Sequence, residues 1–342
     1  ILKNAARHDR IGHAYLFYGP RGTGKTTTAR LVAKLANCER RHAEQKFRAT
    51  GEPCNECRSC KEIDLNNSFD VIEIDAASNR GIEEIRNLKE SIRTAPTAGP
   101  FKIYIIDEAH MLTGAAFNAL LKTLEEPPRH AIIVLATTEY EKLPPTITSR
   151  TQRFLFKRLP KVIIMEKLKT ISKKEGLKTD DAALELIAAA AEGSFRDAES
   201  LLDQIGSLET HIDLEAVERI TGRVGLKKIH NLAALITKKN LKESLEQLAA
   251  LNDEGHNMIQ LTKDLIHYTR KILAIKTNPK LEAVFQGELT GDEIKDLKKT
   301  AETAQPDFCL KLIRALIRAY GEMRYSPFAL VPLEIALIEH LS

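Results

Sequence analysis

Short apolar runs alternate with longer stretches of helical periodicity over the first 156 residues of the chain. The runs are "AYLFYG" (14–19), "VIEID" (71–75), "KIYIID" (102–107), "AIIVLATT" (131–138) and "RFLF" (153–156). Nearly continuous apolar strands separated by helices are typical of a parallel sheet covered on both faces. We therefore expect an α/β domain over residues 1–158, with a five-stranded parallel sheet and ligand sites at the carboxyl ends of its strands.

The strand pattern stops after "RLP" (158–160). From there to the end of the chain, apolar residues recur at helical spacing, as in Leu310, Ile313 and Leu316. This pattern predicts a small helical domain over residues 159–222 and a larger, all-helical domain over residues 223–342.

Bulk composition adds two constraints. The net charge of +4 is too small to identify a nucleic-acid binder, and no apolar run approaches the roughly 18 residues of a membrane span. Four of the five cysteines lie within residues 38–60, which is unlike the disulfide framework of a secreted protein. We expect a cytoplasmic protein, not bound to a membrane, in which these thiols hold a metal.

The stretch "GPRGTGKT" (19–26) follows the first apolar run and opens a helical stretch. It matches G-x-x-x-x-G-K-[ST], in which glycines let backbone N–H groups approach phosphate oxygens. The lysine reaches the β- and γ-phosphates, and the last hydroxyl binds Mg²⁺. A chance glycine-rich turn is disfavoured by this placement. We predict an ATP site at Gly19, Pro20, Arg21, Gly22, Thr23, Gly24, Lys25, Thr26 and Thr27.

Two adjacent carboxylates end the third apolar run, "KIYIIDEAH" (102–110). Asp107 suits a Mg²⁺ ligand, shared with Thr26, and Glu108 suits the polarisation of an attacking water. Adjacent acids at a strand end also serve as helix caps, so it is the phosphate loop that favours hydrolysis. The letters "DEAH" also occur in a class of helicases, but those carry a second nucleotide-fold domain. The strand pattern here ends too early for one.

Cys38, Cys54, Cys57 and Cys60 follow the spacing C-x15-C-x2-C-x2-C. Four thiolates suit a closed structural Zn²⁺ site, which keeps no open position for a reacting water. The same spacing opens a ferredoxin-type iron–sulfur run, but that run continues with cysteine and proline where Asp64 and Leu65 stand. We predict a structural zinc module over residues 38–60 and not a catalytic centre.

Four segments together resemble a known family: "GPRGTGKT", "IIDEAHML", "GSFRDAESLLDQ" (193–204) and "FNALLKTLEEPPRHAIIVLATTEYEKLPPTITSRTQRF" (117–154). They resemble the gamma/tau ATPase subunits of the bacterial DNA polymerase III clamp loader, and the similarity covers nearly the whole chain. The resemblance implies an AAA+ module: a nucleotide domain, a helical lid, and a helical collar that holds a ring of five subunits. It also implies a zinc module at the place of the four cysteines.

The resemblance assigns three further residues to ATP hydrolysis. Thr138 falls on the first sensor, Arg150 in "TSRT" on the arginine that reaches a neighbouring subunit's ATP, and Arg196 in "GSFRDA" on the second sensor. By composition alone, each arginine would be an ordinary exposed ion-pair partner. The sequence departs from the family twice. Thr151 stands where the family has cysteine, and no adenine-enclosing segment precedes "RIGHAYLF", so we expect a trimmed chain or an incomplete adenine pocket.

Basic residues after the second and fourth apolar runs are candidates for DNA contact. In related clamp loaders, positions matching Arg80, Arg86 and Lys142 follow duplex phosphates, a contact that does not read sequence and weakens with salt. The alternative is a solvated helix surface, including a local pair between Glu83 and Arg86.

The resemblance therefore implies an ATPase subunit that uses ATP, Mg²⁺ and Zn²⁺ to load a sliding clamp onto primed DNA for the replicative polymerase. Nucleotidyl transfer would belong to that polymerase, and the ring partners would be delta-type and delta-prime-type subunits. One alternative is a non-catalytic subunit of the same ring, which the intact phosphate loop and acidic pair disfavour. Another is a different AAA+ DNA-processing ATPase, which the four-cysteine insertion and "NALLKTLEEPP" disfavour.

Overall fold

The computed structural model describes residues 1–79, 82–285, 289 and 291–341. The chain forms two compact units, Ile1–Arg158 and Leu159–Ser342. Within the described ranges, no helix combines the length and the apolar character that a membrane span requires.

The first unit alternates strands and helices in the order that the apolar runs predict. The chain also forms short 3-10 helices at Ala109–Met111 and Tyr140–Lys142. In chain order the regular elements are α1 (Leu2–Arg7), β1 (Ala14–Tyr18), α2 (Lys25–Asn37), α3 (Glu39–Ala43), α4 (Gln45–Arg48), α5 (Arg58–Asp64), β2 (Val71–Asp75), α6 (Ile82–Arg93), β3 (Lys102–Asp107), α7 (Gly114–Glu125), β4 (Ala131–Thr137), α8 (Pro145–Thr148) and β5 (Gln152–Leu155).

The five strands form one parallel sheet in the order β2-β3-β4-β1-β5. Burial follows this order. Every residue of β4 is buried, and β1 and β3 are buried except at their last residue, whereas β2 and β5 at the edges are largely accessible. This explains why the three inner strands read as continuous apolar runs. The predicted fold of the first unit is confirmed.

Side chains alternate between the two faces of the sheet and build a core on each. Phe17, Ile105 and Val134 pack with the apolar side of α2 on one face. Leu16, Ile106 and Leu135 pack with α6 and α7 on the other. The sheet order places the carboxyl ends of β3, β4 and β1 side by side, with Tyr18 of β1 opposite Thr137 of β4. The phosphate loop and the acidic pair meet at this edge.

The second unit is almost entirely helical. Its elements are α9 (Lys161–Glu175), β6 (Lys178–Thr179), α10 (Asp181–Ala190), α11 (Phe195–Leu208), β7 (His211–Ile212), α12 (Leu214–Thr221), α13 (Leu226–Thr237), α14 (Leu241–Asp253), α15 (Met258–Thr277), α16 (Glu282–Phe285), α17 (Gly291–Thr303), α18 (Pro306–Glu322) and α19 (Leu330–Leu341), with a 3-10 helix at Pro279–Leu281.

The second unit contains two hydrophobic clusters, one within residues 164–217 and one within residues 224–341. The predicted boundary at residue 222 lies between them, and the division into lid and collar stays a prediction. The expectation that strands end near residue 160 is wrong at one point, because β6 and β7 form a parallel pair. Two-residue strands are too short to leave a periodic signal.

Candidate nucleotide and metal sites

The turn between β1 and α2 is built on glycines with positive φ. Gly24 caps α2 in the left-handed conformation, with φ of 92°, and Gly19 has φ of 140°. A Cβ at Gly19 would collide with the backbone carbonyl of Phe156. Both positions therefore require glycine, and the loop ends on a helix N-terminus, where backbone N–H groups and the helix dipole favour an anion.

The side chain of Lys25 folds back into this loop. Its Nζ donates to the carbonyl oxygens of Gly19 at 2.9 Å and Pro20 at 2.8 Å, and the residue is 6% exposed. Thr23 Oγ1 donates to the same Pro20 oxygen at 2.8 Å. The loop thus holds an ammonium group within its own curve, where phosphate oxygens would meet it.

The two residues predicted to hold Mg²⁺ are in direct contact. Thr26 Oγ1 donates to Asp107 Oδ2 at 2.7 Å, and Asp107 Oδ1 accepts from the backbone N–H of Glu108 at 2.9 Å. A hydroxyl and a carboxylate are oxygen donors of the kind that Mg²⁺ prefers, and Mg²⁺ keeps few protein ligands beside phosphate and water. The donor set fits the ion.

Glu108 has a left-handed backbone, with φ of 46° and ψ of 44°. For a residue other than glycine this conformation costs about 1–3 kcal/mol and is common at functional sites. Its carboxylate accepts a hydrogen bond from Thr138 Oγ1 to Oε2 at 2.9 Å. The structure therefore brings two predicted residues, Glu108 and Thr138, into contact across the ends of β3 and β4.

Sequence reasoning missed His110. Its Nδ1 lies 3.0 Å from Thr137 Oγ1 and 3.4 Å from Glu108 Oε2, and its Nε2 lies 3.2 Å from Glu139 Oε1. The side chain is 8% exposed. The spacing Glu108-x-His110 was a signal, because the turn after β3 directs both side chains to the same sheet edge.

Of the two arginines assigned to hydrolysis, Arg150 belongs to the first unit and lies outside this cluster. Arg150 follows α8 and pairs with Glu125, with 2.6 Å from Nη2 to Oε1, and its Nη1 donates to the Thr146 carbonyl at 2.7 Å. Arg196 belongs to the second unit, where it is exposed on the first turn of α11. Their predicted roles, at a neighbouring subunit and in the lid, stay predictions.

The candidate DNA contacts pair locally where they are described. Arg86 Nη1 lies 2.8 Å from Glu83 Oε1, the local pair that was the alternative interpretation, and Lys142 Nζ lies 2.8 Å from Glu139 Oε2. Arg80 lies outside the described residues. Both described cations remain exposed over more than half of their side chains, which leaves them accessible to solvent.

The four predicted zinc ligands converge at the far end of α2. The Sγ atoms of Cys38, Cys54, Cys57 and Cys60 all lie within 4.8 Å of one another, and those of Cys54 and Cys60 are 4.0 Å apart. Tetrahedral Zn–S bonds of about 2.3 Å separate sulfurs by about 3.8 Å. The cluster is therefore the right size for Zn²⁺, and its donor set suits that ion.

The surroundings of three of the four thiols shift their pKa values, in different directions. Burial raises the pKa of Cys38 and of Cys60. Burial also acts to raise the pKa of Cys54, but hydrogen bonds from the amides of Glu56 and Cys57 outweigh it and lower that pKa to about 7. A bound metal would be needed to keep the thiols of Cys38 and Cys60 ionised, so metal binding would be accompanied by release of their protons.

A phosphate loop before α2 and an acidic pair ending β3, on this sheet order, define a P-loop nucleotide-binding protein of the AAA+ class. Family profiles agree: "DNA polymerase III, delta subunit" matches residues 1–160, "DNA polymerase III clamp loader subunit, ATPase lid domain" residues 163–205, and "DNA polymerase III subunits gamma and tau domain III" residues 212–342. The chain belongs to the gamma/tau family of DNA polymerase III subunits.

Individual relatives show the extent of this similarity. The Bacillus subtilis DNA polymerase III subunit tau is 43% identical over 99% of the chain, which spans 58% of that relative. DNA polymerase III subunit gamma of Buchnera aphidicola from Acyrthosiphon pisum is 35% identical over the whole chain, which spans 92% of it. Among solved structures, the Thermotoga maritima RuvB branch migration motor aligns with 75% of the chain and 78% of its own, at 17% identity and a TM-score of 0.47.

Proposed function

We propose that this chain is an ATP-hydrolysing subunit of a clamp loader, which uses ATP binding and hydrolysis to place a sliding clamp on primed DNA for the replicative polymerase. One observation carries the proposal. Lys25, Thr26, Asp107 and Glu108 come together at one edge of the sheet, and these are the residue types that phosphoryl transfer to water requires.

Each residue has a distinct part in this reaction. Lys25 and the loop amides hold the β- and γ-phosphates, and Thr26 and Asp107 would hold Mg²⁺, which supplies neutralisation of phosphate charge. Glu108 orients and polarises the attacking water, and Thr138 fixes the Glu108 oxygen that it contacts. Most of the catalysis is positioning and charge stabilisation, since the chain forms no covalent bond to phosphate.

The remaining assignments extend this proposal to an assembly. Arg150 would complete the ATP site of a neighbouring subunit, which makes turnover depend on the ring, and Arg196 would sense nucleotide from the lid. The ring would include delta-type and delta-prime-type subunits held by a collar at residues 223–342, with the lid at residues 159–222. Support comes from the names of the matching families and relatives. A cytoplasmic location belongs to the same proposal.

Zn²⁺ at the four cysteines and contact of DNA with Arg80, Arg86 and Lys142 are also proposed. The sulfur spacing supports the metal. The exposure of the described basic side chains supports the second proposal, since phosphate contacts need accessible cations.

The test compares the wild-type chain with Lys25→Ala, each reconstituted with delta-type and delta-prime-type subunits and a sliding clamp. Turnover of ATP with primed DNA should fall at least about 100-fold in the variant, because phosphate positioning is lost. Equal turnover in the two complexes would instead indicate a non-catalytic subunit. Lys3→Ala is the control, since it removes an exposed cation of the same unit that belongs to no predicted site.

A further inference from the structure

The segment between the first two cysteines of the cluster folds against the N-terminal helix α1. It comprises residues 39–53 and contains the two short helices α3 and α4. We call it the clasp. Arg7 Nε of α1 donates to the Thr50 carbonyl of the clasp at 3.4 Å, and two further residues of the clasp, Arg41 and Gly51, make closer contacts with the same helix.

Arg41 joins α1 to α2. Its side chain is 1% exposed, and Nη2 donates to the backbone carbonyl of Ala6 in α1 and, at 3.3 Å, to Asp9 Oδ1. Nη1 donates to the carbonyl of Leu35 in the last turn of α2 at 2.6 Å. Because carbonyls at a helix C-terminus lack partners within the helix, this guanidinium completes the end of α2 and holds α1 beside it.

Gly51 brings the backbone of the clasp against α1. Its φ is 70°, and a Cβ at this position would lie 2.6 Å from the Lys3 carbonyl oxygen and 2.9 Å from Arg7 Cγ. Glycine alone tolerates both this conformation and this close approach. The neighbouring ion pair of Lys3 with Glu52 is more than half exposed and contributes little.

The clasp has little of its own to keep it closed. Its helices have five and four residues, and isolated helices shorter than about 12–15 residues are marginal in water. Residues 39–53 contribute no side chain to the hydrophobic clusters of the described chain. Its two ends meet at the sulfurs of Cys38 and Cys54, so a metal bound there would fix both ends at once.

We propose that the cysteine module is a metal-dependent clasp for the N-terminal helix, in which Arg41 is the positioning residue that carries closure of the module to α1. The proposal rests on the proposed metal site and deepens it. Arg41 lies three residues after Cys38, so the metal end of the clasp sets the place of its guanidinium. Leu2 of α1 packs against the core beside α2. Loss of the metal releases α1 and uncovers this apolar surface.

Hydrogen–deuterium exchange of the whole chain measures the release of α1 directly. The amides of His8, Asp9 and Arg10 donate to carbonyls of α1, so they report on this helix. Removal of Zn²⁺ by excess EDTA with a thiol reductant should raise their exchange rate at least about tenfold, because local opening becomes easier. The amides of α19, in the second unit, should keep their rate.

Arg41→Met separates the clasp from the metal itself. Methionine keeps an unbranched apolar side chain but has no donor for Ala6. We expect this variant to keep its zinc, measured by elemental analysis, and to exchange the α1 amides as fast as the metal-free wild type. EDTA should then add less than about twofold, because both changes break the same connection. Arg40→Ala is the matched control, since the neighbouring Arg40 is exposed and pairs with Glu44 inside the clasp. It should behave as wild type.

Gly51→Ala tests the second contact without touching Arg41. Its Cβ would push the clasp away from α1, so α1 exchange should rise in the zinc-loaded variant. Gly176→Ala is its control, because Gly176 has nearly the same φ, 69°, but open space where a Cβ would lie. It should leave the exchange of α1 unchanged.

The outcomes separate the clasp from the metal site. A wild-type chain that contains no zinc contradicts the site itself. A zinc-loaded wild type whose α1 exchange is the same before and after EDTA contradicts the clasp alone. Effects of EDTA and Arg41→Met that multiply would show that Arg41 does not carry the effect of the metal. If Arg41→Met raises exchange throughout the first unit, including β4, then Gly51→Ala decides: α1 exchange equal to that of Gly176→Ala would overturn the proposal.

Discussion

The two ends of α2 carry opposite kinds of site. At its N-terminus, the helix begins in a loop of left-handed glycines, and Lys25 and Thr26 make contacts that a nucleotide and its ion would replace. At its C-terminus, the helix ends at Cys38, one of four sulfurs that enclose a space the size of one ion. The first end suits a ligand that binds and leaves, and the second suits a metal ion that stays bound.

The contrast suggests that α2 carries its proposed reactive site and its proposed structural metal site at opposite ends, so that neither disturbs the other. The closed end has side chains that tie the helix to its surroundings. Lys34 on α2 donates to Asn55 of the cysteine module and to Asp64 at the end of α5, and the side-chain amide of Asn37 exchanges two hydrogen bonds with the backbone of Phe101. The helix is fixed at its cysteine end, so its N-terminal end, where we propose that phosphate binds, starts from a defined position.

The largest expected effect comes from opening the closed end. Cys60→Ser removes one of four thiolates, and the metal-binding free energy of such sites is about 10–16 kcal/mol in small zinc peptides. We expect zinc content, measured by elemental analysis, to fall below half of the wild-type value, and the melting temperature of the chain to fall with it. Cys309→Ala, at the buried cysteine outside the cluster, should keep full zinc content. Unchanged zinc in Cys60→Ser would contradict the four-sulfur site.

At the open end, Glu108→Gln should abolish reaction without abolishing binding. Loss of a general base lowers turnover by about 10²- to 10⁴-fold, while the phosphate loop stays intact. ATP turnover and binding of a fluorescent ATP analogue, measured on the same preparation, give the comparison. Glu126→Gln, at an exposed acid on the C-terminal side of α7, serves as the control. A parallel loss of binding and turnover would mean that Glu108 shapes the loop.

The ion pair between Lys34 on α2 and Asp64 on α5 should lose different amounts of stability when one or the other partner is replaced. Lys34 is 7% exposed at its side chain, whereas Asp64 is 56% exposed. Asp64→Ala leaves a buried ammonium with one partner fewer and should cost about 1.5–3 kcal/mol of unfolding free energy. Lys34→Met leaves only a carboxylate that water can reach and should cost less. Urea unfolding of both variants measures the difference, and a larger loss in Lys34→Met would reverse this assignment of cost.

The smallest expected effect concerns Asp70, just before β2. Burial raises the pKa of Asp70, but hydrogen bonds from the amides of Thr97, Gly99 and Ala98 outweigh it and lower that pKa. The stabilisation is therefore present above the usual aspartate pKa of about 4 and is lost as the pH falls through the lower, folded value.

Asp70→Asn should cost about 1–2 kcal/mol at neutral pH. Its stability deficit relative to wild type should shrink when urea unfolding is repeated at successively lower pH below about 4. A deficit that is constant with pH would show that the charge of Asp70 does not contribute.

Local sequence patterns predicted the helices, the strands and the phosphate loop. They did not predict contacts between residues that are far apart in the chain. The five strands and the phosphate loop were recognisable because apolar runs, glycines and Lys25 are signals within a few residues of one another. The contacts of His110 with Glu108 and Glu139 were not recognisable, because they need the turn after β3 to meet the turn after β4. The fully buried Arg41, which donates to the Leu35 carbonyl at 2.6 Å, was likewise unpredictable from its polar neighbours.

The segment that carries the four cysteines begins and ends at nearly the same place in the first unit. Asn37, just before Cys38, lies against Gly99, and Asp70 accepts a hydrogen bond from the amide of that same glycine at 2.8 Å. Residues 38–69 thus form an excursion whose two ends share one anchor. Because both ends are held by this anchor, the excursion closes as a loop on the rest of the first unit, and Ile63 within it packs against Tyr15 and Phe17 of the sheet.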